Sequence, residues 1–355
     1  MFNRLLNAQY VLSSKRLPWI DYAKGIAIVL VVYRHVLIGF LRSGLDVSQY
    51  LVLANEVVMS FRMPLFFIIS GIFIERSLAK RSVQQFVRSK FNTILYPYFI
   101  WATVQVTLQV LLSPYTNANR GWIDYLYILI HPRGIDQFWF LYALFNATVL
   151  YALLSKYVSA NNIHHLVLSL VFYYLSRFVQ EYGLIHDLLY YYVFLVTGTL
   201  ASKFILNKDN FALLASSRFA LVMLPIFLLT QWYWLSTPDI DPFLFAAVAL
   251  IGCFFMINIS FILHKTERVQ ILRVAGYHSL YIYILHVLIT SAIRILAIKV
   301  GVTYTPVLLV INITLGTFLP IMFYNYVRSK GLYYLFELKD RQPEQVDGKR
   351  KASSY

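Results

Sequence analysis

Charged residues are scarce in this sequence. Only 13% of its 355 residues are Asp, Glu, Lys or Arg, against about 25% in an average soluble domain. Hydrophobic residues make up 59%, and they recur in blocks of about 20, the length that an α-helix needs to cross the hydrocarbon core of a bilayer. The composition excludes an ordinary soluble enzyme and predicts an all-α, polytopic membrane protein.

Cysteine and short catalytic motifs are also lacking. The one cysteine, Cys253, lies inside an apolar block, so no disulfide can form within the chain and we expect a small buried side chain. The sequence contains no H-E-x-x-H, C-x-x-C, G-x-G-x-x-G or G-x-x-x-x-G-K-S/T pattern. Sites for a metal, a dinucleotide or a Walker-type phosphate therefore have no support.

Ten apolar blocks are long enough to span a membrane. They cover residues 19–41, 50–75, 88–112, 137–157, 163–180, 187–206, 217–235, 241–264, 277–298 and 304–328. The weaker run from Trp122 to Ile130 is too short to cross, which indicates a re-entrant or interfacial piece.

Acidic residues are few, with 16 Asp and Glu against 31 Lys and Arg, and the net charge is +15. With the N-terminus inside, 22 of the 31 basic residues fall in inner segments, four in outer loops and five within spans. The excess of basic residues thus follows the positive-inside rule. We expect both termini to be cytoplasmic and no nucleic-acid partner.

We predict three parts of the chain: a cytoplasmic N-terminal segment 1–18, a membrane domain 19–330 and a basic cytoplasmic tail 331–355. The first span begins with Asp21 and Lys24 and follows no small-residue cleavage pattern, which favours a retained helix over a signal peptide. The tail composition is typical of disorder or of contact with lipid headgroups.

Ionisable side chains in the first span are the first functional candidates. A charge at mid-bilayer costs a few kcal/mol, so such a residue must face protein or water. Lys24 and His35 are eleven residues apart, within about 20° of the same helix face and about 16 Å apart along the axis. We expect Asp21, Lys24 and His35 to line one stripe. The alternative is that His35 only bonds a neighbouring helix.

Arg62 in the second span is the next candidate. It lies roughly 20 Å from the inner end of its helix at Glu75, and His35 lies at a similar depth of about 22 Å. The two side chains can therefore meet across a helical hairpin. Pro64 is expected to bend the helix and free a carbonyl, so the alternative is that Arg62 only bonds freed carbonyls.

Two later stretches combine aromatic and polar residues. Phe138 and Phe140 flank Trp139 at the start of the fourth span, which favours an interfacial aromatic belt for these two phenylalanines. Tyr283 lies one turn before His286, about ten residues into the ninth span. This spacing indicates a polar seam along one helix.

Four of these stretches, in this order and with this spacing, resemble the membrane acyltransferase-3 family. The stretches are Asp21-Tyr-Ala-Lys24-Gly25 with His35 eleven residues beyond Lys24, Phe61-Arg-Met-Pro-Leu-Phe-Phe-Ile-Ile-Ser-Gly71, Phe138-Trp-Phe-Leu141 and Ser279-Leu-Tyr-Ile-Tyr-Ile-Leu-His286. The resemblance implies a ten-helix enzyme of the bacterial cytoplasmic (inner) membrane that O-acylates a surface glycan or glycolipid. Where the family more often has Arg, Lys24 keeps the charge but loses the bidentate fork.

The resemblance also implies roles for single residues. Acyl-CoA, with acetyl-CoA expected, would be the cytosolic co-substrate. A neutral His suits removal of a hydroxyl proton near pH 7, so His35 would be the general base, with Asp21 and Arg62 as its catalytic partners. The donor phosphates would meet Lys24, Arg88 and Lys90 at the inner side, although Arg88 and Lys90 also fit the positive-inside rule alone. The acceptor would contact Arg34, Trp139, Tyr283 and His286, with Arg177 and Arg294 lining the same outer half.

A secondary transporter or flippase for a glycan or lipid-linked sugar is the competing class. Buried charges, a proline-bent helix and ten spans also suit transport. Inverted repeats would favour it, and the sequence shows none. A structural partner of a polysaccharide synthase would leave the buried His35 and Arg62 unexplained.

Overall fold

The computed structural model of the chain describes residues 6–14, 16–113 and 120–338. The regular elements of these ranges are helices, without a strand. Nine of the helices described there are long and apolar enough to cross a membrane. The chain is an all-α, multi-pass membrane protein, as the sequence predicts. Most of the predicted basic tail, residues 339–355, lies outside the described residues.

Ten helices, numbered here in chain order, correspond one to one to the ten predicted spans. They are α1 (Pro18–Arg42), α2 (Gln49–Leu78), α3 (Val83–Leu111), α4 (Trp139–Tyr157), α5 (Asn162–Leu175), α6 (Gly183–Ile205), α7 (Ser217–Ser236), α8 (Pro242–Thr266), α9 (Ser279–Lys299) and α10 (Thr305–Ser329). Below, the outer end of the bundle is the end that carries Arg42, and the inner end is the one that carries Pro18.

Helix α5 is the short member of this set. Its 14 residues span about 21 Å, less than the hydrocarbon thickness of about 30 Å. At its first turn, the Tyr151 hydroxyl bonds both Asn162 (3.3 Å) and Glu75 of α2 (3.2 Å). Near its last turn, the Tyr173 hydroxyl donates to the Pro242 carbonyl at the start of α8 (2.8 Å). Helix α5 is therefore not among the nine described helices that are long enough to cross a membrane, so the prediction of a full span at 163–180 is not met.

Helix α2 is interrupted at two positions. It consists of the segments Gln49–Val57, Met59–Ile72 and Ile74–Leu78. The expected bend at Pro64 lies within the middle segment, which continues through the proline. The interruptions fall at Val58, one turn before Arg62, and at Phe73.

Helix α1 lies at the centre of the bundle and contacts α2, α8, α9, α10 and the short helix Gln270–Tyr277. This last contact depends on two glycines. A Cβ at Gly25 would overlap the Leu272 carbonyl, and a Cβ at Gly276 would overlap the Asp21 carbonyl. The backbones approach closely, which buries Asp21 at the inner end of α1.

Contacts at the outer end join segments that the sequence assigns to the same side. Arg42 at the end of α1 pairs with Asp136 before α4 (3.6 Å). The Thr305 hydroxyl at the start of α10 donates to the Asp46 carbonyl after α1 (2.8 Å). The alternating helix directions agree with these contacts, while the assignment of the inner end to the cytoplasm stays a prediction from charge.

The predicted aromatic belt is wrong for Phe138 and Phe140. Both side chains are buried, and the Phe140 ring packs against Phe67 and Tyr283, with centroids 5.4 and 5.2 Å away. The reason is the 3-10 segment Pro132–Phe138, which leads the chain into the bundle before α4 begins. By contrast, the run from Trp122 to Ile130 contains only the short helix Asp124–Ile130, as expected for a segment that is too short to span the membrane.

Candidate functional site

Two histidines from different helices form the centre of the site. His286 in α9 places Nδ1 2.9 Å from the Ile282 carbonyl and 2.8 Å from the Tyr283 carbonyl. Carbonyl oxygens only accept, so in the neutral ring Nδ1 carries the proton and Nε2 keeps its lone pair. That Nε2 lies 3.3 Å from Nδ1 of His35 in α1.

The same reasoning fixes the tautomer of His35. Its Nδ1 lies 2.9 Å from the Val31 carbonyl and faces the lone pair of His286, so Nδ1 must be the protonated nitrogen. Nε2 is then an unprotonated base. The His35 side chain lines a cavity that opens toward the outer end.

Arg62 lines the same cavity as His35, so the structure brings these two predicted residues together. The side chain is buried, at 3% exposure. One guanidinium nitrogen donates to the Asn55 side chain (3.1 Å) and points to the Leu30 carbonyl (3.5 Å). Nε has no hydrogen-bond partner in the described residues. The guanidinium therefore retains an unused donor.

This outer cavity measures about 510 Å³ and is rich in cations. Arginines 34, 42, 62 and 133 line it, together with Asp136 and His186 among the polar residues. Arg34 is half-buried, and its hydrogen bond is to the Met59 sulfur at 3.9 Å. No carboxylate of the described chain forms an ion pair with Arg34. The cavity suits a polar ligand that carries hydroxyl or anionic groups.

Trp139 lines the outer cavity as expected, but its ring is not open on all sides. The Arg133 guanidinium lies 4.4 Å over the ring and is held there by Asp187, whose oxygens are 2.8 and 2.9 Å from Nε. The Tyr191 ring lies 5.2 Å away. A sugar would therefore meet a Trp139–Arg133 surface rather than a free indole.

Of the two residues of α9 that the resemblance places at the acceptor, Tyr283 lines the outer cavity and His286 does not. His286 is fully buried behind His35 and lies outside the outer cavity lining, so it contacts His35 and not an acceptor bound there. Tyr283 lines both the outer cavity and a second cavity toward the inner end. Its hydroxyl donates to the Gln137 carbonyl, which fixes the ring between the two spaces.

The inner cavity measures about 580 Å³ and brings Lys24 and Lys90 together. Neither lysine pairs with a carboxylate in the described part of the chain. Arg16 and Arg328 line the same space. The sequence did not indicate these two arginines as site residues, because the positive-inside rule already accounts for basic residues in every inner segment. Four cations against the single carboxylate of Glu337 make this cavity strongly basic.

Arg88 does not join this group. It is exposed and lines a separate groove with Phe91, Lys156 and Tyr157. The predicted trio of donor-binding cations is thus split, since Arg88 projects from another face of α3 than Lys90.

Asp21 also lies away from the histidine pair. It precedes His35 by fourteen residues on one helix, which corresponds to about 21 Å. The side chain is buried beside the Gly276 contact. The structure does not bring Asp21 to His35, so the predicted catalytic partnership lacks a geometric basis. Arg177 likewise does not reach the outer half of the site, because it is exposed and lies 5.8 Å over the Tyr174 ring.

A polar network closes the outer rim. Arg120 pairs with Asp124 at 2.9 Å and with Asp136 at 3.4 Å, and Gln109 of α3 donates to Asp136 at 3.1 Å. Burial works to raise the pKa of the Asp124 carboxyl, but the Gly121 N–H and the Arg120 guanidinium outweigh it and hold the pKa below its usual value. The network fixes the loop over the site.

No group of His, Cys, Asp and Glu within the described ranges is arranged to hold a metal ion. The chemistry available at the site is that of a neutral histidine base beside a buried arginine.

Comparison with known proteins gives one family and two relatives. A model of the acyltransferase domain of the acyltransferase-3 family matches residues 17–325. Nodulation protein NolL of Mesorhizobium japonicum is 28% identical over 138 residues, which make up 39% of this chain and 35% of that protein. NolL of Sinorhizobium fredii is 28% identical over 148 residues, covering 39% of this chain and 38% of that protein.

The chain thus aligns with little more than a third of the length of these two curated relatives. No solved structure matches it significantly. The family match extends from the start of α1 nearly to the end of α10 and includes His35, Arg62 and His286. The chain therefore belongs to the acyltransferase-3 family.

Proposed function

We propose that the protein transfers an acyl group, which we expect to be acetyl, from cytosolic acyl-CoA to a hydroxyl of a cell-surface glycan or glycolipid. The observation that carries the proposal is the His35–His286 pair, which leaves an unprotonated nitrogen of His35 at the outer cavity beside Arg62. Family membership supports acyl transfer over the transporter or flippase alternative.

In the proposed step, the acceptor hydroxyl oxygen attacks the carbonyl carbon of the thioester. His35 Nε2 takes the hydroxyl proton as the C–O bond forms, and the Arg62 guanidinium stabilises the negative charge that develops on the carbonyl oxygen. The C–S bond then breaks, and the leaving thiolate of CoA takes the proton from His35. No oxidant, metal or other co-reactant is required.

The inner cavity is the proposed donor site. CoA carries several phosphate charges, and Lys24 and Lys90, together with Arg16 and Arg328, offer cations for them at the inner end. Charge-assisted contacts of this kind are stronger than neutral hydrogen bonds. From there the acyl thioester would pass Tyr283 to reach His35.

The outer cavity is the proposed acceptor site. Its arginines and the Trp139–Arg133 surface can bond hydroxyls and pack on a sugar ring. Arg62 is buried and His35 is half-buried among the helices, which reduces the access of bulk water to the reacting atoms and limits hydrolysis of the thioester.

Mass spectrometry of surface glycans and lipids, from cells with and without the gene, tests this function. We expect the fraction from cells with the gene to carry one additional acyl group per modified unit. The His35→Ala variant, expressed at the normal level, should give the same spectrum as cells without the gene. Identical spectra from all three strains, together with gene-dependent movement of a glycan across the membrane, would support the transporter alternative instead.

A further inference from the structure

A third cavity lies beside the histidine pair, between α1, α3 and α9. It measures about 260 Å³, and its walls are mostly aliphatic. The aliphatic residues are Ile38 of α1, Leu108 of α3, Leu112 directly after α3, and Val287, Leu288 and Ile295 of α9. We call this space the lateral cleft. It meets the outer cavity at His35, Ile38, Arg42 and Asp136, which line both.

The lateral cleft lies in the outer half of the membrane domain and faces the side of the bundle. From His35 to Arg42 the helix rises about 10.5 Å, so the cleft runs from the level of the histidine pair to the outer end. On its rim, Leu108 and Leu112 are 38% and 47% exposed. In a spanning helix such leucines face lipid. A lipid chain could therefore enter between α3 and α9 without leaving the bilayer.

The cleft also holds a buried cation. Arg294 of α9 is 6% exposed, its Nε lacks a hydrogen-bond partner, and no described carboxylate pairs with it. It lies five residues before Lys299, the last residue of α9, or about 7.5 Å from the outer end. A buried guanidinium that lacks an anion is costly, so the position favours an anionic ligand group near the outer end of α9.

A second cation, Arg42, lies where the lateral cleft meets the outer cavity. The Arg42 side chain is 60% exposed, and its contact with Asp136 is long, at 3.6 Å. Asp136 already accepts bonds from Gln109 and Arg120. Both of these bonds go to Oδ2, so Asp136 keeps two donors without Arg42, and the long contact of Arg42 with Oδ1 leaves this exposed side chain able to turn to a second anion.

We propose that the lateral cleft binds the phosphate and adjoining chain of a lipid-linked acceptor. The chain would lie against the aliphatic walls, the phosphate would meet Arg294 and Arg42, and the attached sugar would extend into the outer cavity, where a hydroxyl reaches His35. This inference rests on the proposed function, because it names the acceptor class for the same site. The continuity of the two spaces at His35 argues for one amphiphilic ligand instead of a free glycan.

Binding of a simple probe tests the inference without acyl transfer. The full chain in detergent, with no acyl-CoA present, is titrated with farnesyl phosphate, farnesol, inorganic phosphate or phosphatidylglycerol, and thermal unfolding is followed. We expect farnesyl phosphate to raise the unfolding temperature at concentrations where the other three do not. Stabilisation of equal size by phosphatidylglycerol would overturn the proposal, because the cleft would then be an ordinary lipid site.

Two variants locate the binding. Arg294→Gln should weaken farnesyl phosphate binding about tenfold or more, the loss expected for one charge-assisted contact. Arg177→Gln removes an exposed arginine outside both cavities and should leave binding unchanged. If Arg294→Gln does not fold, Leu108→Trp, which fills the cleft without changing charge, gives the same test. Unchanged binding in a folded variant of either kind would contradict the proposal.

Failure of the lateral cleft proposal can be distinguished from failure of the proposed acyltransferase function. If farnesyl phosphate does not bind while the protein still acylates a water-soluble glycan, the lateral cleft proposal alone fails. If farnesyl phosphate binds as expected but acyl-CoA is never consumed with any acceptor, the acyltransferase proposal fails and the cleft remains a lipid-phosphate site.

Discussion

The Nε2 of His286 faces the Nδ1 of His35 at 3.3 Å, across the contact between α9 and α1. The backbone carbonyls around His286 hold its own proton on Nδ1, so the contact keeps the His35 proton on the nitrogen that faces away from the cavity. His286 thus acts through His35 as a positioning residue.

The first prediction concerns this pair. His35→Ala should lower kcat by about 10²- to 10⁴-fold, the usual contribution of a general base. Because Asp21 lies about 21 Å along the helix from His35, Asp21→Asn should be much milder. Turnover is measured with purified protein, acyl-CoA and acceptor, after size-exclusion chromatography has shown that each variant folds. Near-normal turnover of His35→Ala would disprove the assignment of the base.

The second prediction tests whether His286 acts through its hydrogen bond to His35 or only through the volume of its side chain. His286→Gln keeps an acceptor oxygen that can face the His35 N–H, whereas His286→Leu keeps the volume and loses the acceptor. We expect His286→Leu to lower kcat by about 10- to 100-fold, as for a misplaced catalytic group, and His286→Gln to recover much of that loss. A merely structural role would make the two variants equally active, since both fill the space.

The third prediction concerns Arg62. Its buried guanidinium bonds Asn55 through one nitrogen and has a second donor, Nε, without a partner among the described residues, and the single ammonium of lysine cannot reproduce that fork. Arg62→Lys should therefore be nearly as harmful as Arg62→Ala, with kcat reduced about 10²- to 10³-fold, the loss expected for one oxyanion donor. Arg177→Lys, on an exposed turn, is the matched control and should behave as wild type. Full activity of Arg62→Lys would indicate simple charge balance.

The sequence predicts the nine long helices well because apolar length largely determines which segments span a bilayer, and the short α5 is the exception. It also indicates His35 and Arg62 as candidates, since an ionisable residue in a span has to face protein or water, and both line the outer cavity. The role of His286 could not be predicted, because it depends on the contact between α1 and α9, 251 residues apart in sequence. The position of Arg88 outside the inner cavity could not be predicted either. The positive-inside rule accounts for a basic residue in an inner segment in the same way whether or not its side chain lines a cavity.

The fourth prediction places the donor. Replacing Lys24 and Lys90 together by Gln should raise the KM for acyl-CoA about 10- to 30-fold, with a smaller change in kcat, as expected for lost uniform binding. The acceptor KM should hardly move, and the effect should shrink at high salt. The double variant Arg88→Gln with Lys156→Gln removes the same charge from the neighbouring groove. If that control raises the KM equally, the basic residues act only as a general positive surface.

The fifth prediction concerns the constriction between the two cavities, which the acyl thioester is proposed to pass. Tyr283 lines both spaces, and its ring packs on Phe140 with centroids 5.2 Å apart, so Tyr283→Ala should join the spaces and admit water to the thioester. We expect hydrolysis of acyl-CoA without acceptor to rise several-fold while transfer falls. Tyr283→Phe removes only the hydroxyl that bonds the Gln137 carbonyl, and its ring should still narrow the passage, so hydrolysis should stay close to wild type.

Free CoA and acylated acceptor are measured in the same reaction, and the ratio of the two is compared among the three proteins. An unchanged ratio in Tyr283→Ala would show that the Tyr283 ring does not control the passage between the donor cavity and the histidine pair, and the donor would then have to reach His35 by another route.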